Sequence, residues 1–262
     1  MNAIIFSITS DIGFAIAQDW IEKGYRIAGT YRTGSKKINY LKKRGVKLFK
    51  CKIDDYKNVN ITSKKISKLF KWDILMPCSA TQNPVGLFVD NDFAKWKQSI
   101  NLNLISQAQI IHNLLPFKKK NSTVINWAGG GVNNAVDRYS AYTTSKIALI
   151  KLTELLNSEI NDVKFVILGP GWVKTKIHKE TLRSKLNAGK NYKKTKMMLQ
   201  SNKCNDIQNV IDCVNVIITK TKKAVGGRNI SVVFDKWKTK KLYKKLSKDE
   251  NSYKLRRYRN DL

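Results

Sequence analysis

The chain has 262 residues with 42% hydrophobic content, enough for one large α/β domain or two small ones. No apolar run reaches the roughly 18 residues of a membrane span, and Met1-Asn2-Ala3-Ile4-Ile5-Phe6 lacks the basic stretch and cleavage site of a signal peptide. The net charge is +31, yet only nine of the 50 basic residues are arginine, the side chain that phosphate and base recognition draws on most.

Residues 3–7 read as a short apolar strand, followed by the polar turn Thr9-Ser10-Asp11-Ile12-Gly13. A helix over 14–23 ends at Gly24, and strand 25–31, helix 35–44, strand 47–53 and helix 57–70 follow. Residues 72–77 read as a buried strand, 92–115 as one long helix, 123–127 as a strand, 139–158 as a helix and 164–168 as a strand. The stretch 176–204 is rich in lysine and weakly periodic, so it reads as a mobile insertion near the substrate. Helix 205–219 and strand 229–234 close the pattern. Strands alternating with helices of this length predict a doubly wound parallel sheet with helices on both faces, in one domain over 1–235. The extension 236–262 is strongly basic. Its spaced Trp237, Leu242, Tyr243, Leu246 and Tyr253 predict packing on the domain or on a partner.

Lysine, asparagine and isoleucine are inflated together along the whole chain, as in a genome poor in G and C, so nucleic acid is not the expected partner. An anionic cofactor or substrate would still benefit from the field. Cys51, Cys78, Cys204 and Cys213 are scattered, and the histidines are only His112 and His178, so no metal site is expected. Four reduced thiols suit a cytoplasmic protein.

Two features carry chemistry. A strand, a tight turn and a helix start near residue 13 would aim backbone N–H groups at a pyrophosphate. Tyr142 and Lys146, four apart, share one face of the helix at 139–158. A phenol titrates near 10, so acting near pH 7 needs a drop of roughly 3 units, to which a neighbouring cation contributes.

Several ordered segments resemble the short-chain dehydrogenase/reductase family. Phe6-Ser7-Ile8-Thr9-Ser10-Asp11-Ile12-Gly13 resembles its cofactor turn Thr-Gly-x-x-x-Gly-x-Gly, with Ser7 and Asp11 at the first two glycine positions. Cys78-Ser79-Ala80-Thr81 resembles the Asn-Asn-Ala-Gly strand end, Trp96 to Asn103 the helix that ends in the family's asparagine, and Thr123 to Asn126 the strand that leads to its serine. Tyr142 and Lys146 come next, and Pro170-Gly171-Trp172-Val173-Lys174-Thr175 resembles the Pro-Gly-x-Val-x-Thr segment beside the nicotinamide. The resemblance covers roughly residues 3–235.

It implies a Rossmann-like fold and an oxidoreductase that moves a hydride between a nicotinamide and a carbonyl or alcohol carbon of a small molecule, and the lysines of 176–204 are compatible with an anionic one. Tyr142 would protonate the carbonyl oxygen, Lys146 would lower its pKa and hold the nicotinamide ribose, and Asn103 would support a water relay. Cofactor contacts would come from Ser7, Thr9, Ser10, Ile12, Gly13, Arg32, Ser79, Ala80, Tyr142, Lys146, Pro170, Gly171 and Val173. Arg32 follows the second strand where an acid would bond a ribose hydroxyl, which implies NADP(H), with NAD(H) still open. By adenine, either Lys52 or Asp54 takes the place of the family's aspartate. Relatives often pair through the helices at 92–115 and 139–158, which implies a homodimer or homotetramer.

Two departures stand out. Asp11 puts a carboxylate among donors meant for phosphate, so it is expected to face away, cap the helix or bond a ribose. The carbonyl-binding serine is missing from Trp127-Ala128-Gly129-Gly130-Gly131. Ala128 is taken as the substituted position, with Ser140, Asn133 or Asn134 as replacement donors. Two other readings stay open: a catalytically silent binder of dinucleotide or partner, and a nucleic-acid binder acting through Lys238-Thr239-Lys240-Lys241 and Arg256-Arg257-Tyr258-Arg259.

Overall fold

The computed structural model describes residues 1–257. The chain runs β1 (Asn2–Phe6), α1 (Asp11–Glu22), β2 (Arg26–Tyr31), α2 (Lys36–Lys43), β3 (Lys47–Lys50), α3 (Tyr56–Ser67), β4 (Trp72–Pro77), α4 (Phe93–Ile100), α5 (Ser106–Leu114), β5 (Lys118–Trp127), α6 (Ser140–Glu159) and β6 (Val163–Gly169). Then come α7 (His178–Arg183), α8 (Lys185–Ala188), α9 (Lys190–Gln200), α10 (Ile207–Ile218), α11 (Lys222–Val225), β7 (Asn229–Ser231) and α12 (Lys240–Leu246). The seven strands form one parallel sheet in the order β3-β2-β1-β4-β5-β6-β7.

Period-two alternation in apolar strands explains why both faces are covered. Ala3 and Ile5 of β1 join Ile125, Val166 and Leu168 against Ile16 and Trp20 of α1 and Val210 and Val214 of α10. Ile4 and Phe6 point the other way, with Leu75, Val124 and Phe165, against Val59 and Ile66 of α3 and Ile110 and Leu114 of α5. The fold is therefore the doubly wound, single-domain Rossmann-like sheet that the alternation predicts. Strand order reverses between β1 and β4, and a crevice opens there at the carboxyl ends of the strands.

Several boundaries differ from the sequence reading, each for a local reason. The first helix starts at Asp11, because the Ser10 hydroxyl caps it by accepting from Gly13 N at 3.1 Å. β3 stops at Lys50, where Lys52 N donates to Asn58 Oδ1 and the chain turns into α3. The helix expected over 92–115 is split by a π turn at Asn101–Ile105. β5 begins five residues earlier than its apolar run, pairing Trp72 with Lys118. β7 ends at Ser231 rather than 234, because Ser231 N donates to Asp235 Oδ2 and the Ser231 hydroxyl accepts from Val233 N and Phe234 N, closing a turn. The stretch 176–204 is not irregular: it holds α7, α8 and α9.

The C-terminal extension packs on the domain. Trp237, Leu242, Tyr243 and Leu246 are buried in the α1/α10 layer. Arg228, 3% exposed, donates to the carbonyls of Leu246, Asp249 and Ser252, and Asn229 N donates to Tyr253 O, so residues 246–253 are tied to the edge strand β7. In the basic cluster at 256–259, Arg256 pairs with Glu154 at 2.7 Å and Arg257 is exposed, while Tyr258 and Arg259 lie outside the described residues.

Candidate functional site

The β1–α1 turn lines one wall of the crevice. Ser7 has φ +57°, the left-handed conformation in which glycine is usual, so the backbone keeps the tight turn without the residue that favours it. Ser7 N donates to Thr30 Oγ1 and Ser7 O accepts from Ser10 N, both at 2.9 Å. Gly13 is required by space: a Cβ there would lie 2.8 Å from Ser10 Oγ and 3.1 Å from Ser7 O. Thr9 and Ser10 complete the turn and are partly exposed, while Ile12, in the first turn of α1, packs against the core under that helix.

Asp11 is the first residue of α1, and its carboxylate turns away from the turn's own amides. It accepts from Lys37 Nζ at 2.8 Å and from Lys176 N at 2.7 Å. Burial pushes its carboxyl up, but Lys37 and the Lys176 N–H outweigh this and hold it below the ordinary value. Lys37 also donates to Thr9 O at 3.2 Å and sits over the Phe14 ring at 4.9 Å. The charge of Asp11 is thus matched by an ammonium, and the turn fits a pyrophosphate group despite the carboxylate. Arg32 follows β2 and is exposed. Asp54 lies toward α4, near Gln98 Nε2 at 3.5 Å, while Asn101 Nδ2 bonds its carbonyl.

The second wall is the end of β4. Ser79 accepts from Gln107 Nε2 at 2.6 Å, and Ala80 is half-buried. Asn103 is fully buried in the π turn, and its amide clamps Thr81, accepting from Thr81 N at 2.9 Å and donating to Thr81 O at 2.8 Å. The Asn103 side chain therefore fixes the loop after β4, and any relay through this residue would run through its main chain.

α6 carries Tyr142 and Lys146 on the face toward β4 and β5. Lys146, 2% exposed, donates to Trp127 O at 2.8 Å, and its Nζ lies 5.9 Å from the centre of the Tyr142 ring. Burial lowers the Lys146 pKa to about 8, so at neutral pH it is still largely an ammonium. The expected lowering of the Tyr142 pKa by Lys146 is not found: burial, then the charge of Glu180, raises the phenol to about 12, because the ring is buried and the Lys146 ammonium is engaged with Trp127 O.

The missing hydroxyl belongs to Gly129, not Ala128. A Cβ on Gly129 would meet Tyr142 Oη and Cε1 at 2.7 Å each, so position 129 is the one aimed at the phenol. Ala128 packs instead with Leu149, Ile150 and Ile167 under α6. None of the proposed substitutes takes its place: Ser140 accepts from Trp96 Nε1 at 3.0 Å, and Asn133 and Asn134 are exposed.

The third wall follows β6. Gly171 has φ +74°, and a Cβ there would lie 2.4 Å from Val233 Cγ2. Pro170 O accepts from Asn205 Nδ2, and Val173 is buried, its carbonyl bonded to His178 Nε2 at 2.9 Å. The segment then closes over the crevice. Glu180 Oε2 accepts from Thr81 Oγ1 (3.0 Å), Gln82 N (2.5 Å) and Asn83 N (3.2 Å). Lys37, Glu180 and Gln107 were not singled out by sequence. Lys37 is indistinguishable among so many lysines, but Glu180 is the one acid in 176–204 and so had a signal.

Comparison with known proteins agrees with this geometry. A family model described as enoyl-(acyl carrier protein) reductase matches residues 8–233. An uncharacterized oxidoreductase of Schizosaccharomyces pombe is 29% identical over 195 residues, covering 68% of this chain and 74% of its own. A short-chain dehydrogenase/reductase from Saccharomyces cerevisiae superposes with a TM-score of 0.80 at 19% identity, over 90% of this chain and 97% of the other. An actinorhodin polyketide ketoreductase variant solved with NADPH superposes at 0.76 and 17% identity, over 88% and 95%. With the family model covering nearly the whole sheet and the crevice built from the matching turns, the chain belongs to the short-chain dehydrogenase/reductase family of oxidoreductases.

Proposed function

We propose that this protein is an NADP(H)-dependent oxidoreductase that moves a hydride between the nicotinamide and a carbonyl or alcohol carbon, with Tyr142 as the acid/base. One observation carries the reading: a phenol and a buried ammonium share one face of α6, above the ends of β4 and β5. The cofactor would supply or take up the hydride. Its pyrophosphate would lie on the Ser7–Gly13 turn, its riboses toward Arg32, Ser79, Ala80, Tyr142 and Lys146, and its nicotinamide beside Pro170, Gly171 and Val173.

In reduction, Tyr142 gives its proton to the carbonyl oxygen. Burial keeps that proton on the phenol at neutral pH, and the Lys146 ammonium stabilises the phenolate left behind. Asn103 holds Thr81 and so the floor of the site. With glycine at 129, the carbonyl oxygen has one side-chain donor where relatives with a serine have two. A lost oxyanion donor typically costs about 10²–10³ in turnover.

The cofactor preference rests on Arg32, since a guanidinium after β2 suits a 2′-phosphate. Calorimetric titration tests it. NADPH should bind more tightly than NADH, and Arg32→Ala should weaken NADPH by about tenfold, as expected for one charge-assisted contact, with NADH unchanged. Tighter NADH binding would contradict the assignment. A catalytically silent binder is the second reading, favoured by Gly129; tight NADPH binding with no carbonyl reduced would select it. Four unpaired cysteines suit a cytoplasmic setting, and exposed Phe93, Ile105 and Leu155 on α4–α6 suit a homodimer or homotetramer.

A further inference from the structure

We propose that the turn Thr81-Gln82-Asn83 is an anion subsite for the substrate, which is a carbonyl compound bearing a carboxylate, and that Glu180 is an internal occupant this carboxylate displaces. The inference rests on the oxidoreductase reading above for the reaction, but not for the binding.

Three donors of the turn converge on a single oxygen, Glu180 Oε2: Thr81 Oγ1 at 3.0 Å, Gln82 N at 2.5 Å and Asn83 N at 3.2 Å. Successive backbone N–H groups with a hydroxyl make a concave nest whose natural ligand is an anion, and bonds to a carboxylate are the stronger class. The two partners differ in how they are held. The donors sit on the scaffold, where buried Asn103 clamps both the N–H and the carbonyl of Thr81. The acceptor sits on α7, a six-residue helix in the lysine-rich segment that covers the crevice. The nest is preorganised, and emptying it needs only a rotation of the Glu180 side chain, because α7 itself is anchored to the same turn by Thr181 Oγ1, which donates to Gln82 Oε1 at 2.9 Å.

The position suits a substrate. Thr181, bonded to Gln82, also bonds the hydroxyl of Tyr139, three residues before Tyr142 at the start of α6, at 2.7 Å, so the nest lies on the Tyr142 side of the crevice. A substrate carboxylate seated there would place its carbonyl within reach of Tyr142. Glu180 is the only acid between 176 and 204, so once it swings away the segment presents only positive charge to the incoming anion. The reaction leaves the carboxylate untouched: hydride adds to the carbonyl carbon, the Tyr142 proton adds to its oxygen, and a hydroxy acid results.

The test uses the full chain, with Glu180→Gln, which keeps the shape and removes the charge, and acetoacetate against its neutral methyl ester. With NADPH, the wild type should reduce acetoacetate with kcat/KM at least tenfold above the ester. Glu180→Gln should lower KM for acetoacetate about tenfold and change that for the ester less than twofold. Preference for the ester, or a variant that raises KM for both alike, overturns the proposal and leaves Glu180 as a latch. Equilibrium dialysis of radiolabelled 3-hydroxybutyrate separates this from a failure of catalysis. Tighter binding to Glu180→Gln than to wild type supports the subsite even if no carbonyl is reduced, and equal or absent binding overturns it even if the enzyme is active.

Discussion

A Cβ at position 129 would sit 2.7 Å from the Tyr142 hydroxyl, so the phenol stands where a serine side chain would otherwise begin. The obstructing atoms are the far end of one side chain, and a ring can pivot about χ1 and χ2 at a cost of order 1 kcal/mol. Gly129→Ser should therefore fold, and the new hydroxyl should raise kcat/KM for carbonyl reduction about tenfold or more, since an oxyanion donor is typically worth about 10²–10³. Unchanged or lower turnover in a folded variant would show that Tyr142 does not stand at the carbonyl. At this scale the sequence is informative where a residue type is chemically distinctive: Tyr142, Lys146 and Asn103 are placed by spacing and resemblance. The choice between Ala128 and Gly129 is not legible, because it depends on which side of β5 each Cβ leaves, and neither residue has a side chain that announces its direction. Asp11 is similar. Its conflict with phosphate is plain from sequence, but the Lys37 that neutralises it lies 26 residues away in a chain crowded with lysine.

Helices and strands with strong apolar alternation were legible, and those whose limits depend on side-chain bonds were not. The π turn at Asn101–Ile105 lies inside a continuous run that reads as one helix, and what marks it is the engagement of Asn103 with Thr81 and of Gln107 Nε2 with Leu102 O. The helices α7 to α9 carry too few apolar residues to show a period. A third case is Lys164 in β6, a charged side chain at the start of the strand expected over 164–168. It is 6% exposed, and its ammonium donates to the carbonyls of Ile217, Ile218 and Lys220 at the end of α10, a favourable place for a cation. Burial lowers its pKa to about 8, against 10.5 in the unfolded chain. Between those values the unfolded state binds more protons, so this residue makes stability rise with pH. Lys164→Met should destabilise the protein by about 2 kcal/mol through unpaired carbonyls, and the gap between wild type and variant should widen from pH 7.5 to 9.5. Urea midpoints at the two pH values check this; a gap that stays constant or narrows would contradict the assignment.

Over the whole molecule, 50 basic residues face 19 acidic ones, and the sheet must hold together a surface that repels itself. Many of the acids serve as ties rather than as a balancing surface: Asp11 joins α1 to α2 and to the segment after β6, Asp73 bonds Lys119 and Asn2 N, and Glu154 holds Arg256 of the extension. Screening should relieve the repulsion more than it weakens these partly buried pairs. Raising NaCl from 10 to 300 mM should therefore increase Tm by several degrees, corresponding to about 1–2 kcal/mol for a domain of this size, and a falling Tm would show that the surface pairs dominate. The same field favours an anionic cofactor and substrate without specifying either. The central claim, hydride transfer with Tyr142 as proton donor, is tested most directly by isotope. Carbonyl substrates are incubated with NADPH carrying deuterium at both hydrogens of the nicotinamide C4, and the alcohol is analysed by mass spectrometry. The wild type should place one deuterium on the carbinol carbon, and Tyr142→Phe should lower the yield at least a hundredfold, as for loss of a positioned acid. Unlabelled alcohol, no alcohol at all, or equal yields from the two proteins would contradict it.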